Sequence, residues 1–164
     1  MALFLPLLEA LEREKISYVI VGGLAVVLHG HGRLTTDMDL VVGLDTHNAA
    51  KIIDVLVSLG YGCRVPEDPK GFADPQTRAR WIAEKGLTVF SFYDKSNSFF
   101  GVDLFVDYPL DFQQLCARSV LKPIGPIQVR IASIDDLIFM KRKAGRPKDL
   151  EDIRMLEMIK NVQP

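Results

Sequence analysis

The sequence predicts an α/β (α+β) fold, a small mixed sheet flanked by helices with further helices at its C-terminal end, and three observations support that class. Through the first 60 residues, apolar runs of strand length alternate with amphipathic runs of helix length. Two runs rich in β-branched and aromatic residues, "GLTVFSFYD" and "FGVDLFVDY", flank the polar "KSNS" as the strands of an antiparallel hairpin do. The chain then closes with two segments that carry helix start and stop signals.

Each element follows from local chemistry. In "MALFLPLLEALEREK", Phe4, Leu7, Leu8 and Leu11 recur at helical spacing, Glu9 interrupts the apolar run and no basic region leads it, which predicts an amphipathic helix rather than a signal peptide. "SYVIVGG" reads as a buried strand closed by glycine, "LAVVLHGH" as a helix starting directly after Gly23, and "DMDLVVGL" as a second strand. Asp45 is placed to cap the next helix, whose apolar face is Ala49, Ile52, Ile53, Leu56 and Val57 and which Gly60 ends. Residues 64–80, "RVPEDPKGFADPQTRAR", hold three prolines and mixed charge, and predict a long surface loop with at most a helical turn near its end. After the hairpin come a helix from about Leu110 to Ala117 and a strand "IQVRIA". Ser133 and Asp136 make a capping box for "IDDLIFMKRK", Gly145 stops that helix, and Pro147 opens the last, "PKDLEDIRMLEMIKN". Trp81, Phe90 and Phe92 are assigned to core packing.

At 164 residues and 48% apolar content the chain has the size and core of one domain, 1–164, within which 1–110 is the expected catalytic core and 111–164 a C-terminal strand and helices. A formal net charge of -1 excludes a global positive field for nucleic acid or anionic lipid. A local patch of Arg78, Arg80, Lys141, Arg142, Lys143, Arg146 and Lys148 stays open. Cys63 and Cys116, far apart and without a CxxC pair, indicate reduced core thiols rather than a zinc site or a disulfide framework. No apolar run approaches the roughly 18 residues that span a bilayer, so a soluble, cytoplasmic protein without membrane partners is expected, of unassigned oligomeric state.

The chemistry concentrates in "VGGLAVVLHGHGRLTTDMDLVV", residues 21–42. On a strand, residues i and i+2 share a face about 6.5 Å apart, so Asp37 and Asp39 project together while Met38 and Leu40 turn to the core. Two like charges there repel and raise each other's pKa, and a pair of Mg²⁺ ions relieves them, because hard cations take oxygen ligands and leave positions for phosphate and water. Asp103, inside the apolar run from Val102 to Val106, is the expected third ligand, and Asp107 at the strand end is not. Gly22 and Gly23, between a strand and a helix, let backbone N–H groups approach an anion and so suit a phosphate. Neither GxxxxGK[ST] nor GxGxxG is present.

Gly-Gly, a helical spacer, "DMDL" and a lone Asp on a later strand resemble the nucleotidyltransferase superfamily of DNA polymerase beta, kanamycin nucleotidyltransferase and the minimal nucleotidyltransferases. With "IDDLIFMKRKAGRPKDLEDI" near the C-terminus, the chain looks in particular like the AbiEii-type proteins, bacterial nucleotidyltransferases often found in toxin-antitoxin pairs. The resemblance covers about Leu3 to Ile159 and implies a nucleotidyltransferase fold and transfer of an NMP from an NTP, the substrate, to a hydroxyl. The acceptor it implies is tRNA or a cognate toxin or antitoxin protein, with a small molecule as a third option. Position by position, it implies that Gly22 and Gly23 hold the triphosphate, that Asp37 and Asp39 bind both Mg²⁺ ions, and that Asp103 binds one and acts as, or positions, the general base. It also implies that Lys141 faces the phosphates or the departing pyrophosphate and that Asp149 orients Lys141. Many members carry Gly-Ser where this chain has Gly22-Gly23, so a hydroxyl contact to phosphate is missing here.

Blander roles stand beside these. Arg33 and Thr36, just before the acids, join the nucleotide-binding set, although Arg33 equally suits covering the loop. His29 and His31 suit packing or capping better than base catalysis. Asp149 and Asp152 also suit the dipole of the last helix. A catalytically weak relative that binds a nucleotide or partner without transfer is the rival function.

Overall fold

The computed structural model describes residues 2–162. After a short 3-10 turn, α1 (Leu5–Arg13) leads into β1 (Tyr18–Val21), α2 (Gly22–Leu28), β2 (Asp37–Val42), α3 (Thr46–Ser58) and β3 (Tyr61–Cys63). Then follow α4 (Pro75–Lys85), the hairpin β4 (Val89–Asp94) and β5 (Gly101–Phe105), α5 (Phe112–Arg118), the hairpin β6 (Val120–Ile124) and β7 (Ile127–Ile131), α6 (Ile134–Ala144) and α7 (Pro147–Val162). Among the described residues the strands form one mixed seven-stranded sheet in the order β3-β4-β5-β2-β1-β7-β6. β2 lies parallel to β5 and antiparallel to β1, and β1 lies parallel to β7.

Most expected elements are present with their expected caps. Asp45 accepts the Asn48 N–H at 3.0 Å, Ser133 accepts the Asp136 N–H at 3.1 Å, and Gly145 ends α6 at φ +63°. Met38 and Leu40 are fully buried, as are Val102 and Leu104 on the neighbouring strand. Three expectations are corrected. Residues 64–80 are not all loop: a 3-10 turn spans Pro69–Ala73, and α4 starts at Pro75, where Asp74 caps it by accepting from the Thr77 N–H at 2.9 Å. Val57 is exposed, and Val55 packs inward in its place. The short edge strands β3 and β6 were not anticipated.

The core beyond β4 is aromatic. Trp81 of α4 stacks on Phe90 with ring centroids 4.9 Å apart, and Phe90 meets Phe92 at 5.4 Å and Phe72 at 6.0 Å. At the other end, exposed ion pairs between Asp135 and Lys160 and between Arg142 and Glu157 link the antiparallel helices α6 and α7. No described helix is long and apolar enough to cross a membrane.

Candidate active site

Strand register builds the centre of the site. β2 and β5 run parallel with Asp39 opposite Asp103 and Asp37 opposite Gly101, so the three carboxylates share one face of two adjacent strands. The neighbouring strand brings in the glycine turn: Val21 of β1 pairs with Asp39, and Gly22 follows it at φ +61°. A Cβ at Gly22 would stand 1.9 Å from Asp39 Oδ2, and one at Gly101 would stand 2.5 Å from Asp37 Oδ1. Gly22 is therefore required beside Asp39, whose Cβ would also stand 2.9 Å away, whereas a side chain at Gly101 would displace the Asp37 carboxylate from its present position. Gly101 had no recognised signal in the sequence, because the need for it comes from a partner strand more than 60 residues away.

The cluster is electrostatically incomplete. Burial, reinforced by the charge of Asp103, pushes the Asp39 carboxyl up to about 6, against the pull of the Gly23 N–H. Burial also raises Asp103, with the Ser91 hydroxyl opposing and Asp37 adding to the rise. Thr36 donates its hydroxyl to Asp37 Oδ2 at 3.0 Å. Among the described residues, none of the three carboxylates has a lysine, arginine or histidine partner within ion-pair distance. A set of oxygen donors short of positive charge is what a hard divalent cation takes. As the side chains stand, no group of three or more His, Cys, Asp and Glu among the described residues is arranged around one ion position: the carboxylates share a wall.

That wall faces a cleft of about 500 Å³, which Gly22, Gly23, Arg33, Thr36, Asp37, Asp39, Asp103, Lys141 and Asp149 all line. The fold thus gathers residues from 22 to 149 on one surface. Phe105, Tyr108, Leu137 and Met140 make its apolar part. Tyr108 was not singled out in the sequence; its hydroxyl is buried with no hydrogen-bond partner among the described residues.

On the cationic side, the expected contact of Asp149 with Lys141 is part of a larger network. Lys141 is buried, and its Nζ donates to Asp152 Oδ2 at 2.6 Å and to Asp149 Oδ1 at 3.3 Å. Arg146 donates Nε to Asp149 Oδ2 at 2.7 Å and Nη2 to Oδ1 at 3.1 Å, and Arg33 Nη1 donates to Asp152 Oδ2. Burial pushes Asp149 and Asp152 up, but the bonds from Arg146 and Lys141 on the first, and from Lys141 and Arg33 on the second, outweigh it and hold both below the usual carboxylate range. Asp152, read from sequence only as a possible dipole partner, joins this network. His29 packs, with Nε2 2.8 Å from the Ala132 carbonyl, and His31 stands 4.0 Å from Asp152. Arg78 leaves the suggested basic patch: it is buried and donates to the carbonyls of Phe72 and Leu44.

No protein-family model matches the chain, and no curated protein matches it by sequence. Solved structures do. The chain is similar to the lincosamide antibiotic adenylyltransferase LnuA, lincomycin-bound, with a TM-score of 0.63 at 17% identity over 93% of each chain. It is similar to ANT(2'')-Ia in complex with adenylyl-2''-tobramycin, with a TM-score of 0.62 at 16% identity over 97% of this chain and 91% of that one. An antigenic nucleotidyltransferase-like protein from Paracoccidioides brasiliensis gives 0.56 at 18% identity over 93% and 71%. At these identities the likeness is one of architecture: the chain has the nucleotidyltransferase fold.

Proposed function

We propose that this chain is a metal-dependent nucleotidyltransferase that moves an NMP from an NTP to a hydroxyl acceptor. The observation that carries the reading is the trio Asp37, Asp39 and Asp103, on one face of adjacent strands, without ion-pair partners among the described residues and open to a cleft that also holds a glycine turn and two arginines. The donor set suits two Mg²⁺ ions, which when bound neutralise the carboxylates and stabilise the attacking and leaving oxygens. Asp37 and Asp39 would hold the ions, and Thr36 donates its hydroxyl to Asp37. Asp103, whose carboxyl is raised by burial, is suited to take or steer the proton of the acceptor hydroxyl. Gly22, Gly23 and Arg33 border the triphosphate, and Lys141 with Asp149 stabilises that side of the cleft.

For the acceptor, the resemblance to AbiEii-type proteins supports tRNA or a cognate partner protein within a toxin-antitoxin pair. A small hydroxylated molecule is the second reading, favoured by the apolar part of the cleft and by the ligands in the names of two structural neighbours, lincomycin and adenylyl-2''-tobramycin.

The test is transfer itself. Purified protein with Mg²⁺, each of four α-labelled NTPs, and bacterial RNA, protein lysate or hydroxylated small molecules is expected to label one class of acceptor. Asp39→Asn is expected to lower that rate at least 10³-fold, the scale of a lost charge-stabilising group, and EDTA to abolish it. NTP binding with no labelled product in any fraction would replace the transferase reading by that of a nucleotide-binding protein.

A further inference from the structure

We propose that Asp152 is a positioning residue, holding the Arg33 guanidinium over the Gly22–Gly23 turn as a clamp for the polyphosphate of the NTP, while Lys141 is the buried counter-charge of the network and not a phosphate ligand. The inference rests on the NTP-dependent reading above and names the groups that grip the nucleotide.

The position of Lys141 is the first ground. Its side chain is 6% exposed and its ammonium is engaged by two carboxylates that are 1% and 3% exposed. An ammonium removed from water is tolerated only when it is paired and hydrogen-bonded, and here both of its partners are carboxylates of α7. The second ground is charge. Lys141, Arg33 and Arg146 face the two carboxylates Asp149 and Asp152, which leaves one net positive charge. With Lys141 buried, that excess is displayed by the arginines, both of which line the cleft.

Arg33 is placed for the task. Nη1 is fixed by Asp152, and Nη2 lies over the turn, 3.3 Å from where a Cβ on Gly23 would be. Gly23 therefore leaves room for a guanidinium, and a guanidinium offers the planar fork that binds phosphate oxygens in pairs. Arg146 stands on the same wall, engaged by Asp149 and near enough to Asp39 to lower its pKa. Without Asp152, Arg33 is a long side chain on a loop, anchored otherwise, among the described residues, by a 3.4 Å contact from Nε to the Leu34 carbonyl. The carboxylate from α7, 119 residues away in sequence, gives it a single orientation.

The experiment is a double-mutant cycle read by calorimetry, with inorganic tripolyphosphate and Mg²⁺ as the probe. Asp152→Asn and Arg33→Ala are each expected to raise the tripolyphosphate Kd about tenfold, and the double variant to bind no worse than either single one, because both remove the same clamp. In transfer assays the single variants are expected to raise KM for the NTP by the same factor, with kcat changed less than threefold. Arg33 is only partly buried, so Arg33→Ala folds even where Asp152→Asn loosens α7, and thermal unfolding of each variant separates the two effects. An unchanged Kd in Asp152→Asn, a double variant near a hundredfold, or no tripolyphosphate binding by the native chain would each overturn the clamp. Tripolyphosphate binding that depends on Asp152 without any nucleotide transfer would instead remove the transferase reading and leave the clamp in place.

Discussion

Asp39 shows at a single residue how this site opposes the stability of the fold. Its carboxyl is raised to about 6 by burial and by the charge of Asp103, so at neutral pH the folded chain carries an anion that the unfolded chain holds more cheaply. A folded pKa above the unfolded one means that this penalty is absent in acid and grows as pH rises from about 4 through 6. In EDTA at pH 7, Asp39→Asn is therefore expected to stabilise the protein by about 1 to 3 kcal/mol, reduced by the part of the side chain that faces the cleft, while removing transfer. Denaturant unfolding checks the sign, and a less stable variant would mean that the carboxylate is better compensated than its neighbours suggest. Tyr108 presents the same tension in neutral form. Its ring meets Phe105 edge-on at 4.9 Å, but its buried hydroxyl has no partner among the described residues, and an unpaired buried polar group is unfavourable. Tyr108→Phe is expected to hold or raise the melting temperature, by the equivalent of about 1 kcal/mol.

At the scale of elements, what could be read from sequence depended on whether the signal was local. Asp37 and Asp39 were readable because strand alternation alone puts them on one face, and Asp103 because an acid stands out in an apolar run. The helix α4 was missed for a physical reason. Its buried residues include Arg78 along with Trp81, so no apolar stripe marks it, and its prolines read as loop. The local cue was present in Asp74-Pro75, a capping acid followed by proline at the first helical position. Asp74 accepts from the backbone of Thr77 at 2.9 Å and from its hydroxyl at 2.6 Å, and these bonds hold its pKa down. Asp74→Ala is expected to destabilise the protein, measured as a lower denaturation midpoint with transfer unaffected, since α4 packs on the aromatic cluster and not on the cleft. β3 and β6 escaped notice because strands of three to five residues, one with glycine and one with proline, carry little pattern of their own and are held by the partner they pair with.

At the scale of the whole molecule, the site exists because distant segments meet, and this was the part least legible in the sequence. The pairs β2 with β5 and β1 with β7 are parallel, and no short-range signal specifies a parallel partner. The role of Lys141 is carried by the resemblance alone, and its burial between Asp149 and Asp152 depends on how α6 meets α7, which no local pattern specifies. One contact ties the front of the chain to its back: His29, at the end of α2, lies with Nε2 2.8 Å from the carbonyl of Ala132, whose own N–H donates to the Ile20 carbonyl at 2.9 Å. The geometry fits a neutral ring donating through Nε2, and burial lowers the pKa, opposed by that carbonyl, with nearby Lys122 lowering it further. A histidine whose folded pKa is below its unfolded one binds fewer protons folded than unfolded, so stability is full above about 6.5 and falls as pH drops toward the folded value. The slope contributed by this one group is at most about 1.4 kcal/mol per pH unit, less whatever solvent screening removes. Asp39 titrates with the opposite sign near 6, and Asp103, also raised by burial, acts in the same direction, so in the native chain these carboxylates oppose the loss from His29 between pH 6.5 and 5. In Asp39→Asn part of the opposing gain is gone, Asp103 keeping the rest, and urea unfolding in EDTA is expected to show stability falling more steeply over that interval than in the native chain. Adding His29→Gln to that variant is expected to flatten the curve again, and a slope that persists in the double variant would place the proton uptake elsewhere in the fold.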